Sequence, residues 1–127
     1  MSTMRTPLKK VRYLGSAKEG ADHFWKQRVT AVANVFLGIF FVWLVVSLLG
    51  ADYATAKQKL GHPLIAIPLL GLILSGTIHM RLGMQVIIED YVRDEGAKIV
   101  TLMLNTFFAI AIALACVFSI LKLSFGA

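Results

Sequence analysis

Three long apolar runs constrain the fold of this chain more than any other feature. They lie in residues 29–49, 63–92 and 99–123, and the first contains no ionisable side chain. At about 1.5 Å per residue in an α-helix, roughly 20 apolar residues cross the ~30 Å hydrocarbon layer of a bilayer. With 57% hydrophobic residues, the chain also lies far from the composition of an average soluble domain. We therefore predict an all-α membrane protein with three transmembrane helices, forming one domain over residues 1–127.

The distribution of charge predicts which end of the chain faces which side of the membrane. The formal net charge of +6 would suggest nucleic-acid binding in a soluble protein, but the positive charges collect beside the first apolar run. Residues 1–28 carry seven basic and two acidic side chains, whereas residues 50–62 have a basic excess of one. Basic segments stay on the cytoplasmic side. We predict a cytoplasmic, partly irregular N-terminal segment 1–28, a periplasmic C-terminus and no nucleic-acid partner.

The single cysteine excludes several kinds of site. Cys116 lies in an apolar run and the chain has no second thiol, so a disulfide framework and a cysteine metal site are both excluded. An iron–sulfur cluster also needs several thiolates, so this chain alone cannot hold one.

The middle apolar run contains one histidine and ends in an acid and a phenol. His79 lies inside the run, and Asp90 and Tyr91 stand at its end. The twelve steps along a helix from His79 to Tyr91 cover roughly 18 Å, about half a bilayer, so the two groups can serve different depths. Ionisable residues inside a membrane are rare and mark functional sites by default.

Two rows of small and polar residues recur at four-residue intervals. The row around His79 has two interpretations: a flat macrocycle can lie against it beside an imidazole ligand, or it can admit a neighbouring helix with His79 hydrogen-bonded to a carbonyl. The row in the first run is predicted to face protein, because small residues let helices approach closely. The rows are Gly71, Ser75, His79 and Gly83, and Thr30, Asn34 and Gly38.

The motifs of this chain form a pattern that resembles a known family. His79 is followed by Gly83, Gln85 and then Asp90-Tyr91, and the N-terminal part contains the runs 15–20 (GSAKEG) and 25–31 (WKQRVTA). At these spacings, with this length and a three-span layout, the chain resembles the D-type hydrophobic membrane-anchor subunits of succinate dehydrogenase (succinate:ubiquinone oxidoreductase, complex II; cytochrome b556 small subunit). The resemblance covers most of the chain.

The resemblance implies cofactors and partners. In that family the matching histidine is an axial ligand of haem b and the matching tyrosine hydrogen-bonds ubiquinone, which assigns those roles to His79 and Tyr91. A six-coordinate haem then needs its second axial histidine from another anchor subunit, so we expect a heterodimeric helical anchor. FAD and the iron–sulfur clusters would lie only on the flavoprotein and iron–sulfur partner subunits.

The same resemblance implies an activity and a location. The chain would be a subunit, not catalytic alone, in respiratory electron transfer from succinate to ubiquinone, linked to the tricarboxylic acid cycle. As a multi-pass protein, it would lie in a bacterial inner membrane or the mitochondrial inner membrane.

Further residues are candidates near these cofactors. The phenol of Tyr91 suits a quinone carbonyl because it donates one hydrogen bond and stays neutral at physiological pH. Asp90 can orient Tyr91 or relay protons to the quinone, or it can be a simple helix-end carboxylate. Arg28, beside Trp25 at the membrane boundary, can meet a haem propionate, the quinone vicinity or the catalytic subunits, or extend to lipid phosphate. His23 is expected at the surface.

Two other functions stay open. The anchor of a fumarate reductase would run the reaction in the opposite direction with a low-potential quinone. A non-redox three-span scaffold or assembly protein would use His79 and Arg81 only to hold helices together.

Overall fold

The computed structural model describes residues 6–8 and 19–126. Within them the chain forms four helices and no strand: α1 (Glu19–Ser47), α2 (Tyr53–Gly61), α3 (Pro63–Tyr91) and α4 (Glu95–Phe125). The helices α1, α3 and α4 are long and apolar enough to cross a membrane. The predicted all-α fold with three spanning helices is confirmed.

Part of the sequence-based interpretation lies outside the described residues. Most of the segment 1–28 is not described, and five of its seven basic side chains and most of the run 15–20 lie in this part. Those five are Arg5, Lys9, Lys10, Arg12 and Lys18.

The first helix begins earlier than the apolar run that predicted it. Helix α1 starts at Glu19, ten residues before residue 29, so residues 19–28 are helical and not part of an irregular segment. Asp22 and Lys26 form an ion pair one turn apart on this part of α1, which supports a helix that the apolar pattern does not reveal. Helix α3, with 29 residues, is roughly 43 Å long and exceeds the hydrocarbon layer, so α1 has a surface to pack on beyond the membrane core.

A short helix occupies the link between the first two spans. Asp52 caps the N-terminus of α2 by accepting a hydrogen bond from the Thr55 N–H at 3.0 Å. Hydrogen bonds from the Thr55 hydroxyl and backbone lower the pKa of Asp52 below its usual value. His62 then caps α3, its Nδ1 accepting from Leu64 N–H at 3.3 Å, and Pro63 takes the first helical position. The caps therefore fix both ends of the link.

Helix α3 is the middle of the bundle. It packs against α1 on one side and α4 on the other, whereas α1 and α4 make no close backbone contact in the described part of the chain. The main apolar cluster lies at the end of the bundle next to α2 and joins all three spans through Leu44, Ala66, Leu69 and Ile120. Helix α2 packs on α4 and α3, and Gly61 of α2 lies close to the backbone of Leu123 in α4.

Most of the apolar surface is not covered by the chain itself. In the most apolar 18-residue window of each spanning helix, only 11% of the residues are buried. Side chains such as Phe36, Phe107 and Phe118 are more than half exposed. This surface is available to lipid and to other membrane subunits.

Candidate functional site

His79 lies half-buried in the middle of α3 and is bound by α1 through one ring nitrogen. Its Nδ1 lies 3.1 Å from the hydroxyl oxygen of Thr30, a buried residue of α1. The other ring nitrogen, Nε2, makes no hydrogen bond to residues 6–8 or 19–126 and is not sealed inside the bundle. One nitrogen therefore orients the ring and the other is open.

A pocket of about 350 Å³ opens beside the imidazole and brings it together with Arg28. The guanidinium of Arg28 stacks over the ring of Phe24 at 4.9 Å from its centroid, and its side chain is exposed. The pocket thus combines an open imidazole nitrogen with a permanent positive charge. It is lined by Gly20, His23, Phe24, Gln27, Arg28, Ala31, His79 and Val86.

Two polar side chains of this pocket were not identified from the sequence. His23 was expected at the surface and Gln27 was not singled out, yet His23 Nε2 and Gln27 Oε1 are buried and have no hydrogen-bond partner among the described residues. The signal was present in the sequence, because residues 23, 27, 30 and 34 are spaced four, three and four apart and so lie on one face of a helix. The polar row of α1 therefore begins at His23, two turns before Thr30, the first residue of the predicted row.

The row of small residues around His79 packs against α1. A side chain at Gly71 would meet Leu37 at 3.8 Å, one at Gly83 would meet Gln27 Nε2 at 3.5 Å, and the Ser75 hydroxyl donates to the Thr30 carbonyl at 3.3 Å. Of the two interpretations of this row, helix packing is the one observed. The open flank lies next to it, since a side chain built at Gly76 would meet nothing within 4 Å.

Asp90 and Tyr91 stand apart from the imidazole. Both are exposed at the end of α3, Tyr91 with 80% of its surface accessible, and neither lines the pocket beside His79. All residues from His79 to Tyr91 are helical, so the spacing of roughly 18 Å along the axis is confirmed. The structure therefore presents two places on one helix, one inside the span and one at its end.

Arg81, whose partner the sequence left open, ties α3 to α4. Its Nε donates to the Thr106 hydroxyl at 3.3 Å, and the Asn105 amide donates to the Arg81 carbonyl at 2.9 Å. Arg81 also lines a second pocket, of about 570 Å³, together with Asp22 and Glu89. This side chain serves the packing of the helices and is not part of the His79 pocket.

The donor set limits the metals that this chain can bind. In residues 6–8 and 19–126, no three histidine, cysteine or acidic side chains come together in a group that could hold a metal ion. A single open imidazole nitrogen suits a metal that takes most of its ligands from elsewhere. The iron of a haem is such a metal, because the porphyrin leaves only its axial positions to protein.

A family model described as "Succinate dehydrogenase/Fumarate reductase transmembrane subunit" matches residues 2–120. The chain belongs to this family. It is 29% identical over 122 residues to the succinate dehydrogenase hydrophobic membrane anchor subunit of Paracoccus denitrificans, covering 96% of this chain and 94% of that protein. The protein of the same name from Rickettsia bellii is 34% identical over 88 residues, 69% of this chain and 70% of that protein.

A third relative also covers most of the chain. The succinate dehydrogenase membrane anchor subunit of Reclinomonas americana is 32% identical over 100 residues, which cover 75% of this chain and 82% of that protein. No solved structure matches the chain. The resemblance to succinate dehydrogenase anchor subunits is thus confirmed, and with three apolar helices this family member is a multi-pass membrane protein.

Proposed function

We propose that this membrane-anchor subunit supplies, through Nε2 of His79, one axial ligand of a haem b. The proposal rests on the different surroundings of the two ring nitrogens of His79. Nδ1 is hydrogen-bonded to Thr30, whereas Nε2 has no partner among the described residues and lies at an open pocket. A metal-ligating histidine has this form, with one nitrogen on the metal and the other on a protein oxygen.

The surroundings of His79 fit a haem in charge and in shape. Arg28 lines the same pocket and carries the positive charge that a haem propionate needs. The empty flank at Gly76 leaves room for a flat ring beside the ligand. When bound, a haem b adds reversible one-electron chemistry to the membrane domain. His79 would supply one axial ligand, and in this proposal the second axial histidine comes from a second anchor subunit in a heterodimer.

Tyr91, in this proposal, binds ubiquinone at the end of α3. Its phenol is exposed and stands roughly 18 Å along the helix from His79, near the level where a span leaves the hydrocarbon. There the apolar part of a quinone stays in lipid while its carbonyl accepts a hydrogen bond from the tyrosine hydroxyl. Asp90 precedes Tyr91 and is also exposed, so its carboxylate is placed to deliver protons or to orient the phenol.

The same end of the bundle would receive the catalytic subunits. The start of α1, the end of α3 and the start of α4 all lie at this end, because consecutive spans run in opposite directions. The charge balance of the sequence puts this end in the cytoplasm, or in the matrix of an organelle. A flavoprotein and an iron–sulfur subunit docked there would pass electrons from succinate to a quinone near Tyr91, in the inner membrane.

A fumarate reductase anchor is the second candidate, because the family description covers both enzymes. The direction of the reaction depends on cofactor potentials in the other subunits.

The test is an absorption spectrum of the purified complex with the variant His79→Ala. We expect the dithionite-reduced α band of a b-type haem in the wild-type complex and its loss in the variant, with the other subunits still present. His62→Ala is the matched control, since His62 is an exposed helix cap outside the pocket. A wild-type complex of intact composition that lacks the b-type α band refutes the proposal and favours the non-redox scaffold. A haem that is kept in His79→Ala refutes the role of His79 as its ligand.

A further inference from the structure

We propose that Thr30 is a positioning residue that fixes the tautomer of His79, so that Nε2 is the nitrogen with a free lone pair. The inference rests on the proposed function, because it concerns how this chain presents a ligand to iron. It arises from three distances at one oxygen atom. Thr30 Oγ1 lies 3.1 Å from His79 Nδ1, 2.7 Å from the Lys26 carbonyl oxygen and 3.2 Å from the Gln27 carbonyl oxygen.

The single hydroxyl proton of Thr30 decides the direction of these bonds. Two oxygen atoms at 2.7 Å repel unless a proton lies between them, and 2.7 Å is the usual length of an O–H···O hydrogen bond. A carbonyl can only accept, so the Thr30 hydroxyl donates to Lys26. The lone pairs of Oγ1 are left for His79, and Nδ1 must be the donor. A neutral imidazole carries one N–H, so Nε2 is then unprotonated.

The helix itself holds the hydroxyl in this arrangement. Threonine in a helix places Oγ1 against the carbonyl one turn back, as Thr30 does with Lys26. Thr30 is buried, and its own carbonyl accepts the Ser75 hydroxyl of α3 at 3.3 Å. The position of Oγ1 is therefore set within α1 itself, and the Ser75 bond to the Thr30 carbonyl is a separate contact between the same two helices.

This arrangement has a consequence for the iron. A hydrogen bond from Nδ1–H to an oxygen makes the imidazole a stronger electron donor and stops the ring from rotating. Without it, Nδ1–H is unpaired and the ring is free to adopt the other tautomer, in which Nε2 carries the proton and cannot bind iron. Loss of the bond should therefore weaken haem binding and raise the midpoint potential of the haem that remains.

The experiment compares three variants of the assembled complex. Thr30→Val keeps the shape of the side chain and removes the hydroxyl. We expect haem to transfer to excess apomyoglobin about 10-fold faster or more, the midpoint potential to rise, and the low-spin ferric EPR signal to broaden. Thr30→Ser should restore all three properties. Ser75→Ala removes the neighbouring hydrogen bond between the same helices without touching His79, and it should leave all three unchanged.

Two results would overturn the inference. One is a Thr30→Val complex with wild-type haem transfer, potential and EPR signal; the other is the same change in Ser75→Ala as in Thr30→Val, which would show only altered helix packing. If His79→Ala keeps its haem, the proposed function fails instead, so the two failures are distinguishable.

A measurement on the wild-type complex covers the case in which Thr30→Val does not assemble. Pulsed EPR of the ferric haem detects the remote nitrogen of each ligating imidazole. For His79 we expect the quadrupole coupling of a hydrogen-bonded N–H, with Thr30→Ser as the comparison. The coupling of an imidazole N–H without a hydrogen bond overturns the inference.

Discussion

Gly61→Ala should destabilise the end of the bundle where α2 meets α4. A Cβ at residue 61 would lie 2.4 Å from the carbonyl oxygen of Leu123 and 3.1 Å from its carbonyl carbon. Ordinary contact begins at 3.4 Å, so the two helices would have to separate by about 1.0 Å (3.4 − 2.4) at this point. The obstacle is backbone in the last turns of α4 and cannot rotate away as a side chain would.

Two opposing effects set the size of the change. Overpacking at a tight contact costs about 1–3 kcal/mol. Alanine in a helix is favoured over glycine by roughly 0.5–1 kcal/mol, and Gly61 does not have the positive φ of Gly50, so its backbone does not itself require glycine. We expect a net destabilisation of about 1–2 kcal/mol from these two terms.

The assay is thermal denaturation of the assembled complex in detergent, following the temperature at which this chain dissociates or aggregates. Gly38→Ala is the control, because a side chain there would meet nothing within 4 Å, and it should leave the midpoint unchanged or slightly higher. The reasoning is refuted if Gly61→Ala denatures at the same temperature as Gly38→Ala.

Two further predictions concern the quinone site and the topology. Tyr91→Phe should lower quinone-reductase turnover by about 2- to 10-fold, because the proposed hydrogen bond from the phenol to the quinone is lost and a hydrogen bond between uncharged groups is worth about 0.5–1.5 kcal/mol. Succinate oxidation with a soluble artificial acceptor should stay near wild type, and equal losses in both assays would count against a role in quinone binding. A reporter fused after Ala127 should lie outside the cytoplasm, as the charge asymmetry of the loops requires, and a cytoplasmic reporter would reverse the side assigned to Tyr91.

The three spans were predictable because each apolar run is long enough to cross a bilayer and carries few charges. The polar start of α1 was not predictable, because residues 19–28 have no sustained apolar pattern. They are helical beside the part of α3 that is longer than the membrane requires. The short helix α2 had a readable signal, an Asp52 cap three residues before Thr55. Polar composition alone made this link resemble a loop.

Candidate residues for the site could be named from the sequence, but the contacts between them could not. His79 and Tyr91 follow from their position in the middle run, and the four-residue rows on α1 and α3 indicated surfaces that face protein. Which residues meet across those surfaces depends on the rotation of α1 about its axis and on its offset along α3, neither of which a single sequence encodes in its pattern. The bond between Thr30 and His79 and the pairing of Arg28 with the same pocket therefore required the fold.

The apolar cluster and the polar contacts occupy opposite parts of the same bundle. Leu44, Ala66, Leu69 and Ile120 join the spans at the end next to α2, whereas His79, Thr30 and Arg28 lie farther along toward Tyr91. The packing that stabilises the bundle and the candidate site therefore depend on different residues. Substitutions around His79 need not loosen the opposite end, so residues of the candidate site can change during evolution while the same scaffold is kept.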